Sequence, residues 1–184
     1  MQKASPPLIA ALALAGLLVL GMIGAGVYAS NSGSGAPAPA ADTAPATAPV
    51  NLVPVDSPQA GSDPCRSLVA ALPTSLSNGR TALARRTMAG TSPAGTAAWG
   101  GTVADDDPVV LRCGLAKPDE LTPTSELLTV DGVYWLQVNG DDAATWYAVN
   151  RSVYVALTLP SGVTGTGPLQ EISSVLAAKL PATG

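Results

Sequence analysis

The chain has few reactive side chains. Its two cysteines are the first candidates for chemistry, because they can react with each other. The 184 residues contain no His, which removes Ser-His-Asp and Cys-His catalysis and the histidine-based zinc sites. Cys65 and Cys113 are too few for a zinc site built from Cys alone, but enough for one disulfide. There is also no glycine-rich phosphate loop ending in Lys and Ser or Thr. Carboxylates, Arg and Trp remain as candidates for chemistry.

The acidic residues cluster where turns are expected. The run Asp105–Asp107 has charge for Ca²⁺ but not the spaced oxygen ligands of an EF-hand, so we interpret it as a solvated turn. Asp119 with Glu120, and Asp141 with Asp142, are adjacent pairs. Because a glycosidase needs two carboxyl groups about 5–10 Å apart across a cleft, these pairs leave a small envelope hydrolase open as the alternative function. We name no catalytic residue and expect neither a metal site nor a cofactor.

Arginines and tryptophans supply the candidate binding surface. Arg80, Arg85, Arg86 and Arg112 can form a basic patch for an anionic wall polymer, although solvated strand edges are the more common explanation for such residues. Trp99 can stack on a sugar ring, although aromatic residues of a chain without Phe more often fill the core. We take Trp99 and Arg112 as the candidate binding surface.

The segments around the two cysteines place each on the apolar side of its own element. Asp63, followed by Pro64 in a first-turn position, predicts the start of a helix whose apolar stripe includes Cys65. The segment VVLRCGL alternates, which predicts a strand with Cys113 on the apolar face and Arg112 on the other. In an oxidising compartment we expect the two core-facing cysteines to form a disulfide; two free buried thiols are the alternative.

The remaining patterns complete an α+β fold. Alternation predicts further strands over Arg80–Ala89 (the weakest), Val133–Val138, Ala144–Asn150 and Val153–Leu159. An apolar stripe ending at Leu180 predicts a C-terminal helix. The expected fold class is therefore α+β: a small antiparallel sheet with an N-terminal and a C-terminal helix on one face, preceded by one transmembrane helix and a disordered linker.

The N-terminal part indicates where the chain resides. Residues 8–28 are uncharged and apolar, and a helix of this length spans about 30 Å, the thickness of the hydrocarbon core of a bilayer. Lys3 precedes this segment and no Lys or Arg follows before Arg66, so the N-terminus is expected inside and the rest outside. The alternative is a signal peptide that is cleaved after Ala29, with secretion of the remainder.

These observations predict four segments. Residues 1–7 form a cytoplasmic N-terminus, 8–28 the transmembrane helix, 29–62 an Ala- and Pro-rich disordered linker, and 63–182 the extracytoplasmic α+β domain. Within the linker, Val50–Val55 can dock on the domain as an edge strand, because Pro54 argues against a central one. The closing LPATG, from Leu180 to Gly184, resembles a sortase signal, but we expect a coincidence because Leu180 ends the final helix and no further apolar segment follows.

Several stretches resemble an actinobacterial family, the domain of unknown function numbered 3515. They are PCRSLVAALP, TAAWG, VVLRCGL, VDGVYWLQV, RSVYVALTLP and the final helix that ends in LP. These stretches cover most of Asp63–Pro181, and AAWG followed by PVVLRCG is the most specific part. The chain departs from the family at GTVADDD, where a shorter link is expected. The resemblance implies one membrane segment, a short spacer and one exported domain, and it implies no activity.

The sequence therefore favours a single-pass, membrane-anchored extracytoplasmic protein that acts as a binding or interaction module of the cell envelope and not as an enzyme. Its expected partners are the cytoplasmic membrane, through the N-terminal helix, and a cell-wall polymer or another envelope protein. A nucleic-acid partner is not expected, because the formal charge is −4.

Overall fold

The segments that alternate apolar and polar residues pair into one large antiparallel sheet. The computed structural model of the chain describes residues 45–102 and 107–183, which all fall within one compact unit. In chain order, the helices and strands of this part are α1 (Asp63–Ala71), β1 (Ser75–Asn78), β2 (Thr81–Ala84), β3 (Thr96–Trp99), β4 (Val109–Leu115), β5 (Leu128–Val130), β6 (Val133–Asn139), β7 (Ala143–Ala148), β8 (Tyr154–Pro160) and α2 (Thr166–Lys179).

The sheet has six strands in the order β3-β4-β8-β7-β6-β5, and β1 and β2 form a separate two-stranded hairpin. Every paired strand runs antiparallel to its neighbour. The weak strand expected over Arg80–Ala89 is shorter than predicted, because its pairing with β1 ends at Ala84 and Arg85 then bridges Trp99 of β3. The sequence patterns do not predict the short strands β1, β3 and β5, since three or four residues carry little alternation.

One face of the sheet carries the main core, and both helices cover it. Leu111 of β4 and Leu157 of β8 face each other there, and both belong to one cluster of buried apolar residues. Leu68 of α1 and Ile172 of α2 belong to the same cluster and are fully buried. We call this side the inner face. The α+β class with antiparallel pairing is confirmed.

The predicted disulfide joins α1 to the inner face. Cys65 is the first buried residue of α1. Its backbone N–H donates a hydrogen bond to the side chain of Ser62, which caps the N-terminus of the helix. Cys113 lies on β4 with its side chain buried, and the two sulfur atoms are bonded at 2.00 Å. The periodicity of α1 and that of β4 thus direct both cysteine side chains into the same part of the core, although the residues are 48 positions apart.

The end of the expected linker packs against the opposite side of the sheet, which we call the outer face. Residues 45–60, here named the strap, begin where Pro45 pairs with Thr102. Val50 is buried, its N–H donates to Thr87 and its carbonyl accepts from Ala89. The sequence predicts disorder up to residue 62, and the structure corrects this for residues 45–62. Apolar contacts and backbone hydrogen bonds distant in sequence offset the entropy of ordering the strap.

A glycine allows the strap to approach the sheet. Gly114 has φ +86°, and a Cβ there would lie 2.3 Å from the backbone N of Ala60. The pairing of β4 with β8 is irregular at this point, between Cys113 and Leu115. Gln59 donates its backbone N–H to the Gly114 carbonyl at 3.0 Å.

The expected transmembrane helix, residues 8–28, and the first part of the expected linker, residues 29–44, lie outside the described residues. Among the helices that are described, none combines the length and hydropathy that a membrane span needs.

Candidate functional site

The outer face carries polar side chains at the positions that alternate with the core residues. Arg112 of β4 lies opposite Ala156 of β8, which in turn lies opposite Tyr147 of β7. One step along these strands, the hydroxyl groups of Thr145 and Thr158 lie 3.1 Å apart. No described helix covers this row, so the outer face is the surface on which a ligand can approach β4, β7 and β8.

The strap and the outer face enclose a groove, which we call the outer groove. Its volume is about 540 Å³, within the range of small-ligand sites. The strap forms one wall from Pro49 to Val53, while β4 and β8 form the floor. Asp107 and Asp142 lie at the groove's surface as exposed side chains. A smaller hollow of about 180 Å³ adjoins it, and Arg112 lines both spaces.

Arg112 is the charged group at the junction of these two spaces. Its side chain is half-buried, and burial lowers its pKa while Tyr147 raises it. Within residues 45–102 and 107–183, no hydrogen bond or ion pair joins the Arg112 guanidinium to another group. A guanidinium retains its positive charge even with a lowered pKa, because its ordinary value is far above neutral. The guanidinium carries five N–H donors, and none of them has a partner in the described part of the chain.

Tyr147 lies at the other end of this polar row, across Ala156 from Arg112. Burial raises its pKa, the nearby Glu120 raises it further, and Arg112 lowers it. The hydroxyl group of Tyr147 therefore remains a neutral hydrogen-bond donor and acceptor around neutral pH. Arg112 and Tyr147 flank Ala156, which is buried between them.

The structure separates the two residues of the predicted binding surface. Trp99 lies opposite Val109 on the inner face and has no exposed surface, so its assignment to a binding surface is corrected. Its indole N–H donates to the Pro73 carbonyl at 3.0 Å, and the Arg85 guanidinium lies 4.9 Å from its ring centre. Arg112 lies on the opposite face. The reason is the two-residue period of paired strands, which sends Trp99 inward and Arg112 outward.

The other arginines do not gather around Arg112. Arg86 is buried, and its guanidinium donates to the Gly100 carbonyl at 2.7 Å and to the Ala48 carbonyl of the strap. Burial lowers the pKa of Arg85, which covers Trp99. Arg80 is exposed in the β1–β2 hairpin. Two of the four arginines of the expected basic patch therefore have structural contacts.

The carboxylates lie in more than two grooves, and Asp142 lines both the outer groove and, with Asp141, a groove of about 340 Å³. Asp107 and Asp142 line the outer groove, whereas Glu120 and Glu126 line another groove of about 690 Å³ beside β6. All four side chains are exposed. Asp105 and Asp106 of the expected solvated turn lie outside the described residues. Within the described ranges, no three His, Cys, Asp or Glu residues are grouped closely enough to hold a metal ion.

The described residues of the C-terminal LPATG, 180–183, contact the rest of the domain. Leu180 is buried in the inner-face core, and Ala182 forms an antiparallel bridge with Arg151. The backbone N–H of Thr183 donates to the Asn150 carbonyl. Leu180 and the backbone of Ala182 and Thr183 are therefore held by the domain, while residues 181–183 are exposed.

Sequence reasoning found Arg112 but missed the rest of the groove. The alternation of β8 already places Thr158 on the outer side, which is the signal that could have found it. Asp107 and Asp142 carry no such signal, because they precede β4 and β7 and lie outside the alternating segments. Sheet pairing through β8 brings Asp142 to the groove that Arg112 lines.

The fold and groove define a class: a disulfide-linked α+β domain with helices on one face of its sheet and a strap-lined groove on the other. The chain belongs to the family described as Protein of unknown function (DUF3515), whose family model matches residues 12–184. The family expected from the sequence is thereby confirmed. Neither the curated proteins nor the solved structures contain a match to the chain.

Proposed function

We propose that this protein is a non-enzymatic binding module of the cell envelope that holds an anionic group of its ligand at Arg112. The observation that carries the proposal is the half-buried Arg112 guanidinium, which lines a groove and has no hydrogen-bond or ion-pair partner among the described residues. Partial burial weakens the hydration of this cation. A carboxylate or phosphate on the ligand replaces the lost water contacts with charge-assisted hydrogen bonds.

The proposed location outside the cytoplasmic membrane rests on two features. The uncharged segment 8–28, preceded by Lys3, is long enough to anchor the chain with its N-terminus inside, and cleavage after Ala29 is the alternative. The disulfide between Cys65 and Cys113 is typical of an oxidising compartment. A reporter enzyme fused after Gly184 tests this location: activity only in the cytosol contradicts it.

Asp107 and Asp142 share one groove, but the exposure of the carboxylates favours binding over the alternative of a small envelope hydrolase. A catalytic acid is commonly held protonated by burial or by a second carboxylate close to it. Asp107, Asp142, Glu120 and Glu126 are all exposed, so burial does not provide this environment. Clearing of a cell-wall suspension by the protein, abolished by Asp142→Asn, would support the hydrolase instead.

Co-sedimentation with isolated cell walls tests the binding function. The full chain in detergent micelles is mixed with purified walls, and the bound fraction is compared for wild type, Arg112→Gln and Arg80→Gln. We expect Arg112→Gln to reduce the bound fraction, while Arg80→Gln removes the same charge from an exposed position away from the groove. Equal reductions by both variants would indicate only a general charge effect and would contradict a site at Arg112.

In-cell crosslinking from the outer groove then distinguishes a wall polymer from another envelope protein. A photoreactive residue at Val53, which is exposed on the strap wall, is suited to this purpose because its replacement removes no core contact.

A further inference from the structure

The outer groove combines one positive group with two negative ones, and we propose that its ligand is a short zwitterionic peptide. The ligand's carboxylate binds Arg112, and its ammonium group binds near Asp107 and Asp142. This inference rests on the proposed function, since Arg112 is the same anion contact. It adds the requirement for a positive group on the ligand.

The sheet register gives the spacing of the charges. Arg112 pairs with Ala156 of β8, and Ala143, which follows Asp142, pairs with Pro160 of the same strand. Four residues along β8 span about 13 Å, and β4 and β7 lie on either side of β8, about 9–10 Å apart. The backbone positions are thus separated diagonally by about 16 Å. The proposed ligand bridges this distance together with the side chains at its two ends, and an extended tripeptide of about 10 Å is the length to test.

The walls of the groove suit the body of a peptide. Pro49, Leu52 and Val53 of the strap and Val110 of β4 present apolar surface, which small aliphatic side chains can contact. The backbone of Leu52 and Val53 forms no hydrogen bond with the described part of the chain. These free N–H and C=O groups can pair with an extended peptide, as in recognition by strand addition.

The two carboxylates also argue against a purely anionic ligand. A polyanion that filled the groove would bring negative groups close to Asp107 and Asp142, and like charges across an interface are unfavourable. A ligand with charges of both signs avoids this repulsion and gains an ion pair at each end. Charge complementarity therefore selects the zwitterion over the simple anion.

Calorimetric titration of the full chain in detergent micelles with three probes tests this inference. Tri-alanine carries both charges, N-acetyl-tri-alanine only the carboxylate, and tri-alanine amide only the ammonium group. We expect tri-alanine to bind and each modified peptide to have a Kd at least about tenfold higher, the effect of losing one charge-assisted contact.

Variants assign each end of the ligand. Arg112→Gln should remove the preference for the free carboxylate, and Asp107→Asn with Asp142→Asn should remove the preference for the free ammonium group. Arg80→Gln, and Asp119→Asn with Glu126→Gln, are the matched controls, because they remove the same charges from exposed positions that do not line the groove.

The outcomes separate this inference from the function on which it rests. If N-acetyl-tri-alanine binds as tightly as tri-alanine and Arg112→Gln weakens both, the anion site stands and the zwitterion inference is overturned. If none of the three peptides binds, the zwitterion inference is also overturned, whereas wall co-sedimentation that depends on Arg112 would still support an anionic ligand.

Discussion

The two faces of the six-stranded sheet are covered in different ways. On the inner face, α1 and α2 pack over a continuous cluster of buried side chains, and a disulfide ties α1 to β4. On the outer face, the strap contributes Val50 to a small separate cluster with Ala98 and Val110. The rest of that face holds Arg112, Tyr147 and the paired threonines beside a groove.

This difference indicates that the inner face provides most of the stability, while the outer face carries the proposed binding site. Burial of apolar surface contributes about 25 cal/mol per Å², so the larger inner cluster carries most of the hydrophobic stabilisation. The outer face is only partly covered, so it can hold the Arg112 guanidinium half-buried and still accessible to a ligand. Four predictions test this division, in order of decreasing effect.

The largest effect is expected from removing the covalent link of the inner face. Cys65→Ser with Cys113→Ser opens a loop with a sequence separation of 48, and the free energy of unfolding should fall by about 4 kcal/mol from loop entropy. Urea unfolding followed by Trp fluorescence measures this change. Reduction of the wild type should produce a similar loss, and an unchanged midpoint in both experiments would show that the link adds no stability.

Replacing Gly114 tests whether the strap belongs to the folded domain. Gly114→Ala puts a Cβ 2.3 Å from the strap backbone at φ +86°, and strain plus overpacking should lower the unfolding free energy by about 3 kcal/mol. Gly79→Ala is the control, because Gly79 also has positive φ (+61°) but nothing lies within 4 Å of its added Cβ. Equal losses in the two variants would mean that the strap does not press on β4.

Two adjacent valines, one on each face, allow the contributions of the two faces to stability to be compared directly. Val109 points to the inner cluster and Val110 to the outer one, and both are buried. Val109→Ala should reduce the unfolding free energy by about 2 kcal/mol and Val110→Ala by about 1 kcal/mol, because the smaller outer cluster can relax around the lost methyl groups. Urea unfolding measures both. The reverse order would contradict a dominant inner core.

The smallest effect concerns the polar row of the outer face. Because the pKa of folded Tyr147 is raised, the native state holds this proton more tightly than the unfolded state, and stability is lost as pH rises above about 10. Tyr147→Phe should lessen that loss, and unfolding free energies at pH 8 and pH 11 measure it.

Glu120→Gln removes one cause of the shift and provides a second test. Absorbance titration of the tyrosines should then show a lower pKa for Tyr147 than in the wild type. An unchanged titration would mean that Glu120 does not approach the outer face in solution.

Local periodicity accounts for the parts of this fold that could be predicted. The stripe of α1 and the alternation of β4 were enough to orient Cys65 and Cys113, and the structure confirms their bond. The same alternation directed Arg112 away from the core. It did not orient Trp99, because β3 has only four residues and its direction depends on pairing with β4.

Alternation, helical stripes and turn residues determined the α+β class, the inner-face residues and the disulfide, because burial on one face imposes a repeat that is readable within a few residues. Tertiary structure alone decided where the strap lies, that Arg112 lines a groove without a hydrogen-bond or ion-pair partner in the described part, and which carboxylates share that groove. Those features depend on contacts such as Gly114 with Ala60, between segments far apart in sequence. No local repeat encodes such contacts.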